Sequence, residues 1–312
     1  MRINTEMISN LRIASLLPSA TEIVASLGLT DSLVGRSHEC DFPPAVKQLP
    51  VCTQPKFNPE GSSREIHERV TDLLQSALSV YQVKTDVLEQ LKPTHIITQA
   101  QCEVCAVSLA DVERAAAALT GTQPQIISLQ PNVLADVWAD IERVACALGV
   151  DGEPVVAGLK SRVEVCASKS AQTRPTVACI EWAEPLMAAG NWVPELVTLA
   201  GGQPLFGAVG RHSPWLQWEQ LAAAEPEIII FMPCGFDLER TGQDARQLIY
   251  TAKWQNLQAV RTGSVYITDG NSYFNRPGPR LADSLEILAE ILHPELFHFG
   301  CEGAGWERLE KF

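Results

Sequence analysis

Positive charge is scarce in this chain of 312 residues. Lys and Arg number 24 against 37 Asp and Glu, a formal net charge of −13. Nucleic-acid phosphates demand a basic face, so nucleic acid is excluded as a partner. Long apolar runs are also lacking. None approaches the roughly 20 residues that cross a bilayer, so the chain is not expected to be membrane-embedded. The opening stretch MRINTEMISNLRIASLLPSATE lacks the apolar core of a secretory leader, because Asn4, Thr5, Glu6, Ser9, Asn10 and Arg12 interrupt it. Nine cysteines, an odd number, fit a reducing compartment better than a disulfide framework. The expected location is cytoplasmic, or periplasmic if a leader has been trimmed away. Enzyme signatures are missing too. There is no Gly-rich phosphate loop, G-x-S-x-G elbow or H-E-x-x-H motif. Ala200-Gly201-Gly202 closes a helical stretch instead of opening one, so it makes no dinucleotide site. The chain reads as non-catalytic, with a Cys102–His38 pair as the one enzymatic alternative.

What is present is ordinary globular composition, 46% apolar and 20% charged, in a length that suits one large domain or two smaller ones. The two halves follow the same plan. RIASLLPSATEIVASLGL and TVACIEWAEPLMAAGNWVPELVTLAGG each read as strand, proline loop and helix with a glycine stop. In the first, Ser19 or Thr21 is a candidate helix cap. VLEQLKPTHIITQAQC and LAAAEPEIIIFMPCGF each read as helix end, proline, buried strand and a cysteine-bearing loop. PQIISLQPNVLADVWADIERVACALG and GSVYITDGNSYFNRPGPRLADSLEILAEIL each read as strand, loop and long helix. Three pairs in the same order predict an α/β fold of two Rossmann-like lobes with parallel-type central sheets. The spacing of Leu159, Val163 and Cys166 predicts one backbone helix from about Pro154 to Gln172, roughly 28 Å long at 1.5 Å per residue, joining the lobes. The expected boundaries are 11–150, 151–173 and 174–312.

In parallel α/β sheets ligands bind beyond the carboxyl ends of the strands. The unusual residues of this sequence all follow expected strands, so a ligand cleft between the lobes is expected. From the first half come Arg36, His38, Glu39, Cys40, Gln101 and Cys102. From the second come Trp182, Trp192, Trp215, Cys234, Tyr273 and Phe274. Flat rings offer large contact area at low entropic cost, which suits a large planar or apolar ligand, although any single tryptophan can equally be core. Arg36 and Arg276 can hold ligand carboxylates or phosphates, or pair across the lobes. Arg280 can tie down its own loop. The run QCEVC, with Cys102 and Cys105, stands near His38 and Cys40 in this scheme. His38, Cys40 and Cys102 are therefore candidate ligands of a transition metal, completed by Cys234. A redox dithiol and plain half-buried cysteines are the competing readings. If a helix starts near Glu103, Cys105 turns away from the site.

These stretches also resemble a known family. RIASLLPSATEIVASLGL followed by VGRSHECDFPP, with LEQLKPTHIIT, LVTLAGG, SPWLQWEQLAAAEPEIIIF and YFNRPGPRLADSLEILA, is similar to the cobalamin-binding and ferric-chelate-binding receptors of ABC importers. The resemblance runs from about Leu11 to Pro294. It implies two α/β lobes bridged by a helix, a corrinoid such as cobalamin or another metal chelate as ligand, and an ABC transporter permease as partner. Trp215 and the pair Tyr273-Phe274 match family aromatics, and Trp182 falls where a phenylalanine sits. The first-lobe half departs from the pattern. Glu39 stands near the place of an aromatic ring, and the tryptophan of the loop Thr98–Cys102 is replaced at or near Gln99. Permease docking through one glutamate per lobe points to Glu65 and Glu195. Without a leader, the resemblance implies a cytoplasmic derivative for storage or salvage. His38 is in this reading a candidate axial ligand to cobalt or iron.

Overall fold

The computed structural model describes residues 10–75, 80–100, 107–169 and 173–310, and the chain divides into two compact units. The first runs to Glu60 and takes in Glu68–Pro131 and Ala135–Gly158. The second takes in Gly61–His67, Asn132–Leu134 and the chain from Leu159.

The strands of the first unit are β1 (Ile13–Ser15), β2 (Leu33–Arg36), β3 (Thr53–Pro55), β4 (Tyr81–Val83), β5 (His95–Gln99) and β6 (Gln125–Leu129). Four of them form one sheet in the order β2-β1-β5-β6, every pair parallel. The apolar runs IAS and IIT are buried throughout, as a parallel sheet covered on both faces requires. The helix Pro18–Ser26 follows β1 with Pro18 in its first turn, where a missing N–H costs nothing. The expected side-chain cap is absent: Leu17 occupies the cap position. The Thr21 hydroxyl donates instead to Ser15 Oγ at 2.8 Å and to Cys40 Sγ at 3.0 Å. β3 and β4 make a separate antiparallel ribbon that sequence periodicity did not flag.

The second unit holds β7 (Thr176–Trp182), β8 (Met187–Ala188), β9 (Gln203–Pro204), β10 (Ile228–Phe231), β11 (Val265–Thr268) and β12 (Trp306–Arg308). Its sheet runs β12-β11-β10-β7-β8, with β9 also on β7. The pairs β10–β11, β10–β7 and β7–β9 are parallel, and β8 and β12 join antiparallel. Phe231, Trp254, Leu221 and Ile229 are fully buried at the centre of its core. Trp306 in β12 donates its indole N–H to Glu290 at 3.1 Å and meets Tyr266 edge to face at 5.7 Å. The strand–loop–helix pairs expected from the sequence are thus all present.

The helix Glu153–Ala167 contains the point, between Gly158 and Leu159, at which the two units divide. It is about 22 Å long at 1.5 Å per residue and stops short of the expected Gln172. Ser168 follows its last residue and marks the correction, since a serine hydroxyl competes with helical backbone bonds. Its second half is anchored in the second unit by Arg162, which forks onto Glu286 at 2.6 and 2.8 Å and onto Asp283 at 2.5 Å. The segment Gly61–His67 is fixed in the same unit. Asp244 accepts the Ser63 N–H at 3.3 Å and Glu184 takes both arms of Arg64 at 2.8 and 3.2 Å.

Two loops beyond β10 and β11 interlock. Asn275 donates its side-chain amide to the carbonyls of Met232 at 3.0 Å and Gly270 at 2.9 Å, and the Asn271 N–H reaches Phe236 O at 2.9 Å. The crossing is possible because Gly270 has no side chain: a Cβ there would lie 2.1 Å from Pro233 O. Gly270→Ala is expected to cost about 2 kcal/mol or more by forcing backbone apart from backbone. Urea unfolding followed by circular dichroism would measure it, and an unchanged midpoint would refute the close approach.

Candidate functional site

Because all four strands of the first sheet run one way, their carboxyl ends lie together. β2 ends at Arg36, and the next residues are Ser37, His38, Glu39 and Cys40. Arg36 holds this loop in shape. Its guanidinium donates to the carbonyls of Ser37 at 2.9 Å, His38 at 3.4 Å, Cys40 at 3.2 Å and Lys47 at 3.2 Å. Expected as an anion holder, Arg36 is instead a clamp, since these backbone oxygens occupy the arms a ligand would need.

His38 is half-buried. Its Nδ1 lies 2.8 Å from Thr53 Oγ1, and its ring packs at 5.0 Å on Tyr81. Burial, with the charges of Lys84 and Arg36 adding to it, lowers its pKa to about 4. The ring is therefore neutral at physiological pH. Glu39 accepts a hydrogen bond from the Tyr81 hydroxyl at 2.9 Å. Tyr81 also meets Phe57 at 6.5 Å, so the loop leans on an aromatic support that sequence reasoning missed. The alternation of Tyr81 and Val83 was the available signal. Cys40 is only 1% exposed, beneath the Thr21 hydroxyl, and points away from the His38 environment. Burial pushes the neighbouring Cys52 thiol up to about 12, so it stays protonated. Among the described residues no three His, Cys, Asp or Glu side chains gather as a metal site. A His38–Cys40 pair is thus not formed, while Gln101, Cys102 and Cys105 lie outside the described residues. A cavity of about 240 Å³ lies along β4, lined by Tyr81, Thr85 and Arg114 among others, below the size usual for organic ligands.

In the second unit the carboxyl ends of β7, β10 and β11 present Trp182, Cys234 and Tyr273. Trp182 is half-buried, edge to face with Phe236 at 5.5 Å, and its buried indole N–H has no partner among the described residues. Cys234 is exposed. Tyr273 is half-buried under the Arg280 guanidinium, 5.4 Å from its ring, and burial raises its hydroxyl pKa. Arg280 does tie its loop down. Trp215 is 55% exposed and meets the His67 ring edge-on at 5.4 Å.

Two expected ligand contacts are core residues. Trp192 is 6% exposed and donates its indole N–H to Phe274 O at 2.6 Å, while Phe274 is fully buried with φ of 61°. An apolar ring in a core and one on a binding wall give the same sequence signal, and only packing separates them. Arg276, also buried, donates to Asn271 Oδ1 at 3.0 Å instead of standing ready for an anion. The two docking candidates both satisfy helix starts. Glu65 accepts from the Ser62 N–H at 2.8 Å and hydroxyl at 3.0 Å, ahead of the helix Ser63–Leu74. Glu195 accepts the Leu134 N–H at 3.0 Å, at the start of the helix Leu134–Leu148. The spacing Ser62-x-x-Glu65 is a capping box legible in the sequence.

Against known proteins, the sequence profile described as periplasmic binding protein matches residues 13–271. The vitamin B12-binding protein of Vibrio cholerae is 25% identical over 286 residues, covering 90% of this chain and 88% of that protein. A periplasmic heme-binding protein from Roseiflexus sp. RS-1 superimposes with a TM-score of 0.68 at 21% identity, covering 92% of this chain and 99% of that one. The crystal structure of the Vibrio cholerae periplasmic vitamin B12-binding protein gives a TM-score of 0.63 at 21% identity, covering 91% and 96%.

The lowered pKa of His38 has a consequence for stability. Its folded value, about 4, lies below the ordinary 6.5, so its contribution is full above pH 6.5 and is lost as pH falls towards 4. The loss is expected to be about 2 kcal/mol once solvent screening of this half-exposed ring is allowed for. Denaturant unfolding at several pH values should show a shallower decline in His38→Gln than in the parent across that window. Parallel curves would refute it.

Proposed function

We propose that this chain, which belongs to the periplasmic binding protein family, binds a metal-centred macrocycle of the corrinoid or heme type without transforming it. The observation that carries this reading is Trp215, a large ring 55% exposed beside His67. Trp182, with its unpartnered N–H, and Tyr273 add to it at the carboxyl ends of the second sheet. Exposed aromatic faces of this size suit a broad, partly apolar ligand, and the indole N–H of Trp182 can meet a peripheral amide or carboxylate. The relatives named as vitamin B12-binding and heme-binding proteins support the same ligand class. A bare transition-metal site built on Cys40 is disfavoured, because that thiol lies buried under Thr21.

Delivery to an ABC permease belongs to this reading. Of the two docking carboxylates Glu65 is the exposed one, whereas Glu195 is half-buried on the Leu134 amide. Residence in a reducing compartment, as a cytoplasmic storage or salvage protein, is part of the proposal. It is supported by the odd cysteine count and by the described cysteines, none of which is disulfide-bonded. Protease protection in fractionated cells tests that location, and recovery of the chain with the periplasmic fraction would overturn it.

Purified protein should retain aquocobalamin, cyanocobalamin or hemin through a desalting column, visible as colour and a one-to-one absorbance ratio. Trp215→Ala should weaken retention about tenfold, the scale expected when one exposed ring is removed from a binding wall. Protein that leaves the column colourless with all three compounds would end the proposal.

A further inference from the structure

We infer that His38 binds the metal of the macrocycle directly, its Nε2 serving as an axial ligand. The inference rests on the ligand class proposed above and stands on the hydrogen bonds around Thr53. Thr53 Oγ1 accepts the His38 main-chain N–H at 3.1 Å and donates its one proton to Ser37 Oγ at 3.1 Å. The third neighbour of that oxygen is His38 Nδ1 at 2.8 Å. With the hydroxyl proton already placed on Ser37, this contact requires Nδ1–H to donate. The proton of the neutral imidazole is thereby fixed on Nδ1, and Nε2 keeps its lone pair.

Nε2 has no hydrogen-bond partner among the described residues and is not sealed from solvent. The ring itself is held. Tyr81 supports one side at 5.0 Å, and Arg36 fixes the loop backbone through the Ser37 and His38 carbonyls. Metal-binding histidines are oriented in this way, by a partner on the far nitrogen that sets tautomer and ring plane. Thr53, on the β3–β4 ribbon, supplies that partner from a strand and not from the loop it steadies. Cobalt and iron centres both accept imidazole nitrogen. The step is a ligand exchange: the metal–water bond breaks, the Nε2–metal bond forms, water leaves, and no electron or proton changes hands.

Full-length protein would be mixed separately with aquocobalamin and with hemin, both of which carry an exchangeable axial position, and with cyanocobalamin, whose upper position is blocked by cyanide. Binding of either exchangeable compound should change its absorption spectrum to that of the imidazole complex, and the arm that responds identifies the macrocycle. His38→Gln should abolish that change and weaken the responding compound about ten- to a hundredfold, with circular dichroism and thermal midpoint near those of the parent at pH 7.5. His38→Gly with added imidazole should regain the spectrum. Thr53→Val, which removes the orienting hydroxyl, should weaken binding about tenfold. Retention of a macrocycle with the free-compound spectrum, or equal affinities for parent and His38→Gln, would overturn the axial role while leaving the ligand class intact. Retention of none of the three compounds would overturn both.

Discussion

Parallel pairing is the constraint on which both units depend. Strands that run in one direction must be joined by crossovers, so each carboxyl end opens into a loop before the chain turns back through a helix. In the first unit this gathers the loop after Arg36 with those after Ser15, Gln99 and Leu129. In the second it gathers the loops after Trp182, Phe231 and Thr268. Chemistry follows from this direction of travel, because only the loops are free of the ladder and able to vary.

A loop released from the ladder must be held by something else, and here side chains bond to backbone carbonyls. Arg36 grips four of them, Asn275 two, and the Trp192 indole one. Cations, amides and aromatics after strands are what binding sites contain, so sequence alone assigns such groups to ligands. In the folded chain they satisfy buried carbonyls that would otherwise each lose a hydrogen bond. The residues left facing outward are fewer: His38 in one unit, Trp182, Trp215 and Tyr273 in the other. A rigid frame with few presented groups is the arrangement of a receptor, where preorganisation limits the entropy lost on binding.

Much of this is legible in the sequence. The repeated strand–loop–helix order can be read from proline and glycine punctuation and from buried apolar runs, and it determines which loops matter. The misreadings have a common cause. Trp192 and Trp215 carry the same residue type in similar settings, yet one lies inside and one outside, a difference made by long-range packing against Phe274 and His67. Tyr81 and Glu39 meet across 42 positions, which no local pattern encodes. Glu65 is the opposite case. Its capping box lies within four residues and is readable, but the family resemblance points to a docking role for the same carboxylate.

β12 serves the second sheet in a way unrelated to ligands. By pairing antiparallel with β11, residues 306–308 cover a row of main-chain donors and acceptors that would otherwise be an open sheet edge. Such edges recruit strands from other molecules and seed aggregation. The Trp306 indole, fastened to Glu290, keeps this cover in place. That single bond on the far flank of the sheet thus bears on whether the chain stays apart from its own copies, and shearing off the last strand would trade a closed sheet for a self-adhesive one.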